Sequence, residues 1–194
     1  MDKPVDIAAQ IAEHQQVIAS LDRLLPQIEQ VAEKLALVLE KGGTIFWMGN
    51  GGSAADAQHL AAELVVRFTR ERRGLSSIAL TTDTSVLTAA ANDYSFEAIF
   101  ARQLEALCRP TDAVVGLSTS GTSPNVIAGL KTAKEIGAYT LALTGNGGGK
   151  LIDIAEACLD IPSTTTARIQ EGHALIGHML CDWLEAALME TQRV

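Results

Sequence analysis

Aromatic side chains are scarce in this 194-residue sequence: Phe, Tyr and Trp together make up 4% of it. The apolar content is therefore mostly Ala, Leu, Ile and Val, small side chains suited to close helix packing. Positive charge is short as well, with 15 Lys and Arg against 23 Asp and Glu and a net charge of −8. That balance argues against broad nucleic-acid binding, which needs a basic face. It leaves room for a phosphorylated small molecule held by a few backbone amides. Cysteine is limited to Cys108, Cys158 and Cys181, an odd number with no CxxC spacing. Neither a disulfide framework nor a cysteine metal site is expected, and a reducing cytosol fits that usage. No run of about 18 apolar residues occurs, so no membrane span is expected. The charged start Met1-Asp2-Lys3 lacks a secretory pattern. The expectation is a soluble, cytoplasmic protein with no membrane or nucleic-acid partner.

What is present is a foldable chain. Hydrophobic residues make up 47% and charged residues 20%, and the length suits one domain with a sizeable core. From about Val5 to Leu39 the pattern is helical, with Ile7, Ile11, Ile18, Leu21 and Leu25 in one stripe. Pro26 opens a second helix carrying Ile28, Val31, Leu35 and Leu39, which stops near Gly42-Gly43. These two helices must bury their stripes on the domain or on a second subunit. Strands are predicted at 44–48, 77–80, 112–117, 139–144 and 158–161. Helices are predicted at about 54–68, 85–91, 96–107 and 124–136, with a long one from 168 to near 190. Alternating strands and helices predict an α/β fold: a single doubly wound parallel β-sheet flanked by helices, behind an N-terminal helical pair. The division is residues 1–42 for the helical segment and 43–194 for the sheet domain, one structural unit overall.

In such sheets ligands sit beyond the carboxyl ends of the strands. Gly49-Asn50-Gly51-Gly52-Ser53 follows the first strand. Its glycines let the backbone take positive φ and approach a ligand closely, and Ser53 is a candidate cap for the next helix. The plain alternative is a tight turn. Ser118-Thr119-Ser120-Gly121-Thr122-Ser123 precedes Pro124 at a first helical position. Its crowd of hydroxyls, with free amides and the helix dipole, favours an anion. It matches neither GxxxxGK[ST] nor GxGxxG, so a monophosphate is the natural fit, with a capped polar loop as the alternative. His59 and Glu63 stand four residues apart, about 40° around a helix, and Arg67 would extend that face. By spacing alone the His–Glu pair reads first as a surface contact, with a metal half-site or an acid–base pair as the alternatives. Gln170 and His178 share the terminal helix, about 80° apart around it. His178 is either part of a site or a satisfied core residue. His14 reads as an ordinary exposed residue, and His173 has no clear partner.

Four stretches together carry a resemblance: 49–59 (GNGGSAADAQH), Asn92-Asp93, Ser118-Thr119-Ser120-Gly121 and Arg168-Ile169-Gln170-Glu171. In this order they resemble the sugar isomerase (SIS) fold, and within it the phosphoheptose isomerase family, over roughly residues 5–190. The resemblance implies a substrate phosphate at Ser118, Thr119, Ser120 and Ser123. It implies sugar contacts at Asn50, Gly51, Gly52, Ser53, Asn92 and Asp93, with Glu63, Arg67 and Gln170 completing the candidate substrate site. It makes Glu63 and His178 the acid–base pair, and His59, Glu63, Gln170 and His178 the ligands of one zinc ion per subunit. Ala167 stands where some family members carry an acidic residue before the Arg-Ile-Gln motif.

The implied reaction converts sedoheptulose 7-phosphate to D-glycero-D-manno-heptose 7-phosphate through an enediol, the first step towards ADP- or GDP-heptose and lipopolysaccharide. A carboxylate and an imidazole are suited to it. Zinc would polarise the oxygens, although glutamine is an uncommon zinc ligand. Members form homotetramers with active sites between subunits. The alternative within the fold is a non-catalytic protein that binds the replication initiator; the presence of Glu63 and His178 favours the enzyme.

Overall fold

The computed structural model describes residues 6–190. Helix α1, Ile7–Ala19, is capped by the Asp6 carboxylate, which accepts from the Ala9 amide at 3.1 Å. A 3₁₀ stretch, Ser20–Leu24, joins it to α2, Leu25–Glu40, with Pro26 in the first turn as expected. Leu21 and Leu24 are both buried. Three residues per turn put them on one side, which explains the tighter winding there.

Five strands follow: β1 (Ile45–Gly49), β2 (Ser77–Ala79), β3 (Ala113–Ser118), β4 (Tyr139–Gly145) and β5 (Ala157–Ile161). They pair in parallel in the order β2-β1-β3-β4-β5. Between them run α3 (Gly52–Val65), α4 (Thr84–Asp93), α5 (Ala101–Leu107) and α6 (Pro124–Ile136), and α7 (Thr166–Glu190) closes the chain. The 96–107 helix of the sequence pattern splits into a 3₁₀ turn, Phe96–Ala98, and α5. Ile99 and Phe100 are consecutive and both buried, and 100° per residue keeps neighbours off one regular helical face.

The sheet separates two cores. Ile45 and Trp47 of β1 face α2, α3 and α7, while Phe46 and Met48 face α5 and α6. Burial on both faces explains why the strands read as continuous apolar runs instead of alternating. The buried residues of α2 belong to the first of these cores, together with α3 and α7. The stripe proposed for α1 is only partly covered: Ile7 and Ile11 remain 73% and 58% exposed. No helix among the described residues is long and apolar enough to cross a membrane.

The strand order positions the site. From β1 the chain crosses to β2 on one side and later returns to β3 on the other, so the loops after β1 and β3 diverge at a switch point. The helices that begin there, α3 and α6, both aim their amino ends at this crevice.

Candidate active site

The loop after β3 carries the hydroxyls. Ser118 Oγ lies 2.9 Å from Ser123 Oγ, and Ser120 Oγ lies 2.9 Å from Thr122 Oγ1. Ser123 is the N-cap of α6 but makes no side-chain capping bond, because its hydroxyl turns to Ser118. Ser118 is buried, Thr119 and Ser123 are half-buried and Ser120 is exposed, so the loop runs from the core to solvent. Its Gly121 carbonyl accepts from the Lys150 amide at 2.9 Å, which braces it on the glycine loop after β4.

Across the switch point, Asn50 and Asn125 exchange two side-chain hydrogen bonds, each 2.8 Å. Asn125 is buried in the first turn of α6 and also accepts from the Val126 amide at 3.0 Å. It fixes Asn50 and ties the two loops together. Of the three glycines beside Asn50, only Gly51 has positive φ, at 56°. Gly51, not Ser53, is the N-cap of α3, and Ser53 is buried in its first turn. Gly52 is required for another reason: a Cβ there would lie 2.3 Å from Gln170 Nε2. Gln170 thus approaches the amino end of α3. Asn92 and Asp93 end α4, exposed, with Asn92 Nδ2 donating to Asp93 Oδ1 at 2.8 Å. Leu87, Phe96, Ile99 and Phe100 wall a pocket of about 180 Å³ against Gly49, Asn50 and Gly51. Larger clefts, near 370 and 330 Å³, lie at the opposite end of the sheet around Lys34, Tyr139 and Glu156. They contain none of these groups.

Helices α3 and α7 bring the reactive side chains together. His59 Nε2 lies 2.9 Å from His178 Nε2 and 3.5 Å from Glu63 Oε1. The imidazoles meet edge to face, and Phe68 stacks on the His178 ring at 5.5 Å. Two ligands of a tetrahedral zinc ion are about 3.3–3.4 Å apart, given Zn–N near 2.0–2.1 Å. These separations bracket that edge, and the donor types suit zinc. Among the described residues no three His, Cys, Asp or Glu side chains stand ready to hold a metal, since the two imidazoles bond each other. Gln170, against Gly52, is seven residues of α3 from His59, about 10 Å of helical rise.

A model of the SIS domain matches residues 10–145. The phosphoheptose isomerase of Geotalea daltonii is 54% identical over 189 residues, spanning 97% of this chain and 98% of the relative. That of Aquifex aeolicus is 54% identical over 173 residues, spanning 89% of this chain and 91% of the relative. The solved phosphoheptose isomerase of Neisseria gonorrhoeae superposes with a TM-score of 0.88 at 43% identity, over 93% of this chain and 97% of that one. The chain belongs to the SIS-domain phosphoheptose isomerase family.

Within this family member, several side chains behave otherwise than their spacing suggests. Arg67 does not extend the His59–Glu63 face, because α3 ends at Val65; it is more than half exposed and 4.0 Å from Glu71. His14 is not an ordinary exposed residue: its Nδ1 lies 2.7 Å from Glu171 Oε2, and Glu171 also pairs with Arg168. His173 does have a partner, the Thr144 carbonyl at 2.9 Å, and burial pushes its imidazole down to about 4, so it is a neutral core residue. Asp56 lies one turn before His59, and nothing in the sequence pattern singles it out within the 49–59 stretch. Burial raises its carboxyl pKa against the opposing pull of His59 and His178, and its buried Oδ2 has no hydrogen-bond partner. Asn125 is a further residue of this kind, signalled in the sequence only by its place directly after the Ser123-Pro124 helix start.

Proposed function

We propose that the protein interconverts sedoheptulose 7-phosphate and D-glycero-D-manno-heptose 7-phosphate. The observation that carries this reading is the convergence of Glu63, His59 and His178 from α3 and α7, α3 being the helix that begins at the switch point between the hydroxyl loop and the Asn50–Gly52 loop. The names and identities of the relatives support it. Ser118, Thr119, Ser120 and Ser123 hold the phosphate at the amino end of α6, where hydroxyls and the helix dipole suit an anion despite the protein's net charge of −8. Asn50 and the amides of Gly51, Gly52 and Ser53 orient the sugar, with Asn92 and Asp93 at its rim.

The isomerisation moves protons between neighbouring carbons. One member of the Glu63–His178 pair takes a proton from C1 of the ketose while the C2 oxygen gains one, giving the enediol. Return of a proton to C2 and loss of the O1 proton give the aldose. Each atom lost from one carbon is restored at the other, so no redox partner is needed. The edge-on contact with His59 and the Phe68 stack hold the His178 ring in one plane for this transfer.

His59, Glu63, Gln170 and His178 would hold zinc by family resemblance, and the imidazole and carboxylate donors of the first, second and fourth suit that ion. Bound there, the ion would polarise the carbonyl and hydroxyl oxygens of the sugar. A homotetramer with sites between subunits, in the cytoplasm, on the route to lipopolysaccharide heptose, completes the proposal; the exposed Ile7 and Ile11 support association. The deciding experiment adds sedoheptulose 7-phosphate to purified, zinc-supplied protein and follows it by NMR. Aldose signals are expected, and their absence with folded protein overturns the reading.

A further inference from the structure

We infer that Glu185 and Arg72 form a positioning pair, a carboxylate–guanidinium clamp that sets the placement of Glu63 and His178. The inference rests on the acid–base reading above and adds residues which that reading does not use.

Glu185 lies on α7, seven residues after His178 and so on the same helical stripe. Its side chain is fully buried, yet it faces no apolar void. One carboxylate oxygen accepts from the Phe68 amide at 2.7 Å and from the Arg72 guanidinium at 2.9 Å. The other accepts from the Thr69 and Arg70 amides at 2.8 and 2.9 Å. Burial alone would raise this carboxyl, but three backbone amides and Arg72 outweigh it and hold the group below the usual carboxylate range. Three consecutive amides gathered by one carboxylate fix the course of the chain leaving α3.

Arg72 completes the clamp from the other side. Its guanidinium is almost fully buried and donates to the carbonyls of Glu63 at 2.8 Å and Leu64 at 2.8 Å, and to those of Val66 and Arg73. Carbonyls in the last turn of a helix lack intrahelical partners and carry the negative end of the dipole, so a cation there is well matched. The backbone of Glu63 itself is therefore held by Arg72, which Glu185 holds in turn. Meanwhile Glu185 grips the amide of Phe68, whose ring lies on His178. One buried ion pair thus reaches both members of the acid–base pair, one through α3 and the other through an aromatic stack. None of its contacts runs to the phosphate loop, 118–123.

That separation sets the test. Glu185→Gln keeps the side-chain shape but exchanges an acceptor for a donor against the amides. It is expected to lower kcat about 100-fold while KM changes less than threefold, because phosphate binding is untouched. Phe68→Leu, at a half-buried position that retains apolar volume, is expected to lower kcat about fivefold at unchanged KM. The imidazole ¹⁵N resonances of His178 report ring placement without requiring turnover and are expected to shift in both variants. A folded Glu185→Gln protein with kcat within twofold of the parent and unshifted His178 signals overturns the inference. Should Glu185→Gln fail to fold, Phe68→Leu decides: unchanged kcat and unshifted resonances leave Glu185 a purely structural residue and overturn it equally. Glu63→Gln and His178→Ala, assayed alongside, separate the two ideas. Activity retained in those variants removes the acid–base reading, whereas the His178 resonances still judge the clamp.

Discussion

His59 and His178 arrive on different helices with their Nε2 atoms 2.9 Å apart, and Glu63 stands beside them. General acid–base groups contribute about 10²–10⁴ in rate. Glu63→Gln and His178→Ala are each expected to lower kcat at least 100-fold while circular dichroism and melting remain those of a folded protein; near-parent turnover in either would remove that residue from the mechanism. His59→Ala is expected to reduce bound zinc below one equivalent per chain, measured by mass spectrometry after dialysis. Full occupancy would exclude His59 as a ligand. His173 gives a prediction about stability. Its folded pKa, about 4, lies below the unfolded value near 6.5, so the unfolded chain binds the proton first. Its contribution is intact above pH 6.5 and is lost as pH falls towards 4, a change of order 3 kcal/mol. Urea midpoints measured across that window should fall in the parent and flatten in His173→Gln; parallel slopes would contradict the assignment.

At the scale of elements, the site depends on how closely α3 and α7 approach. Gly52 and Gln170 mark one end of that contact and the Glu185–Arg72 pair the other. Gly52→Ala places a methyl within 2.3 Å of Gln170 Nε2, so that side chain must leave its position. A decrease in kcat/KM of about 10- to 100-fold is expected with little loss of melting temperature, since Gly52 is exposed. An unaltered kcat/KM would show that Gln170 has no part in the site. Element boundaries differed in how legible they were. Helix α6 could be read directly, because Pro124 opens it and Gly137, at φ 94°, closes it. Helix α3 was overextended to Phe68: Val66 breaks it, and Glu185, far along the chain, gathers the amides that follow. Nothing within the local sequence announces that partner.

For the molecule as a whole, the exposed Ile7 and Ile11 and the half-covered stripe of α1 argue for association between copies. Ile7→Asp combined with Ile11→Asp is expected to shift sedimentation to smaller species. If the sites lie between subunits, turnover should fall together with the assembly. An unchanged sedimentation coefficient would place the interface elsewhere. The acidic net charge does not oppose the proposed phosphate site, where hydroxyls and a helix end, not cationic side chains, would meet the anion.

Periodicity, glycine-rich loops and the order of motifs were enough to read the parallel α/β fold, the switch-point loops and the neighbouring placement of His59 and Glu63 on one helix. These are local properties, written at spacings of three, four or a few residues. Only the folded chain decided that His178 meets His59, that Asn125 locks Asn50, that His173 is a core residue and that Arg67 lies beyond the end of α3. Each of those contacts joins residues distant in sequence or depends on where a helix stops. The packing of α7 on α3 brings His178 to His59, the packing of α7 on the sheet buries His173 against Thr144, and Asn125 meets Asn50 across the switch point.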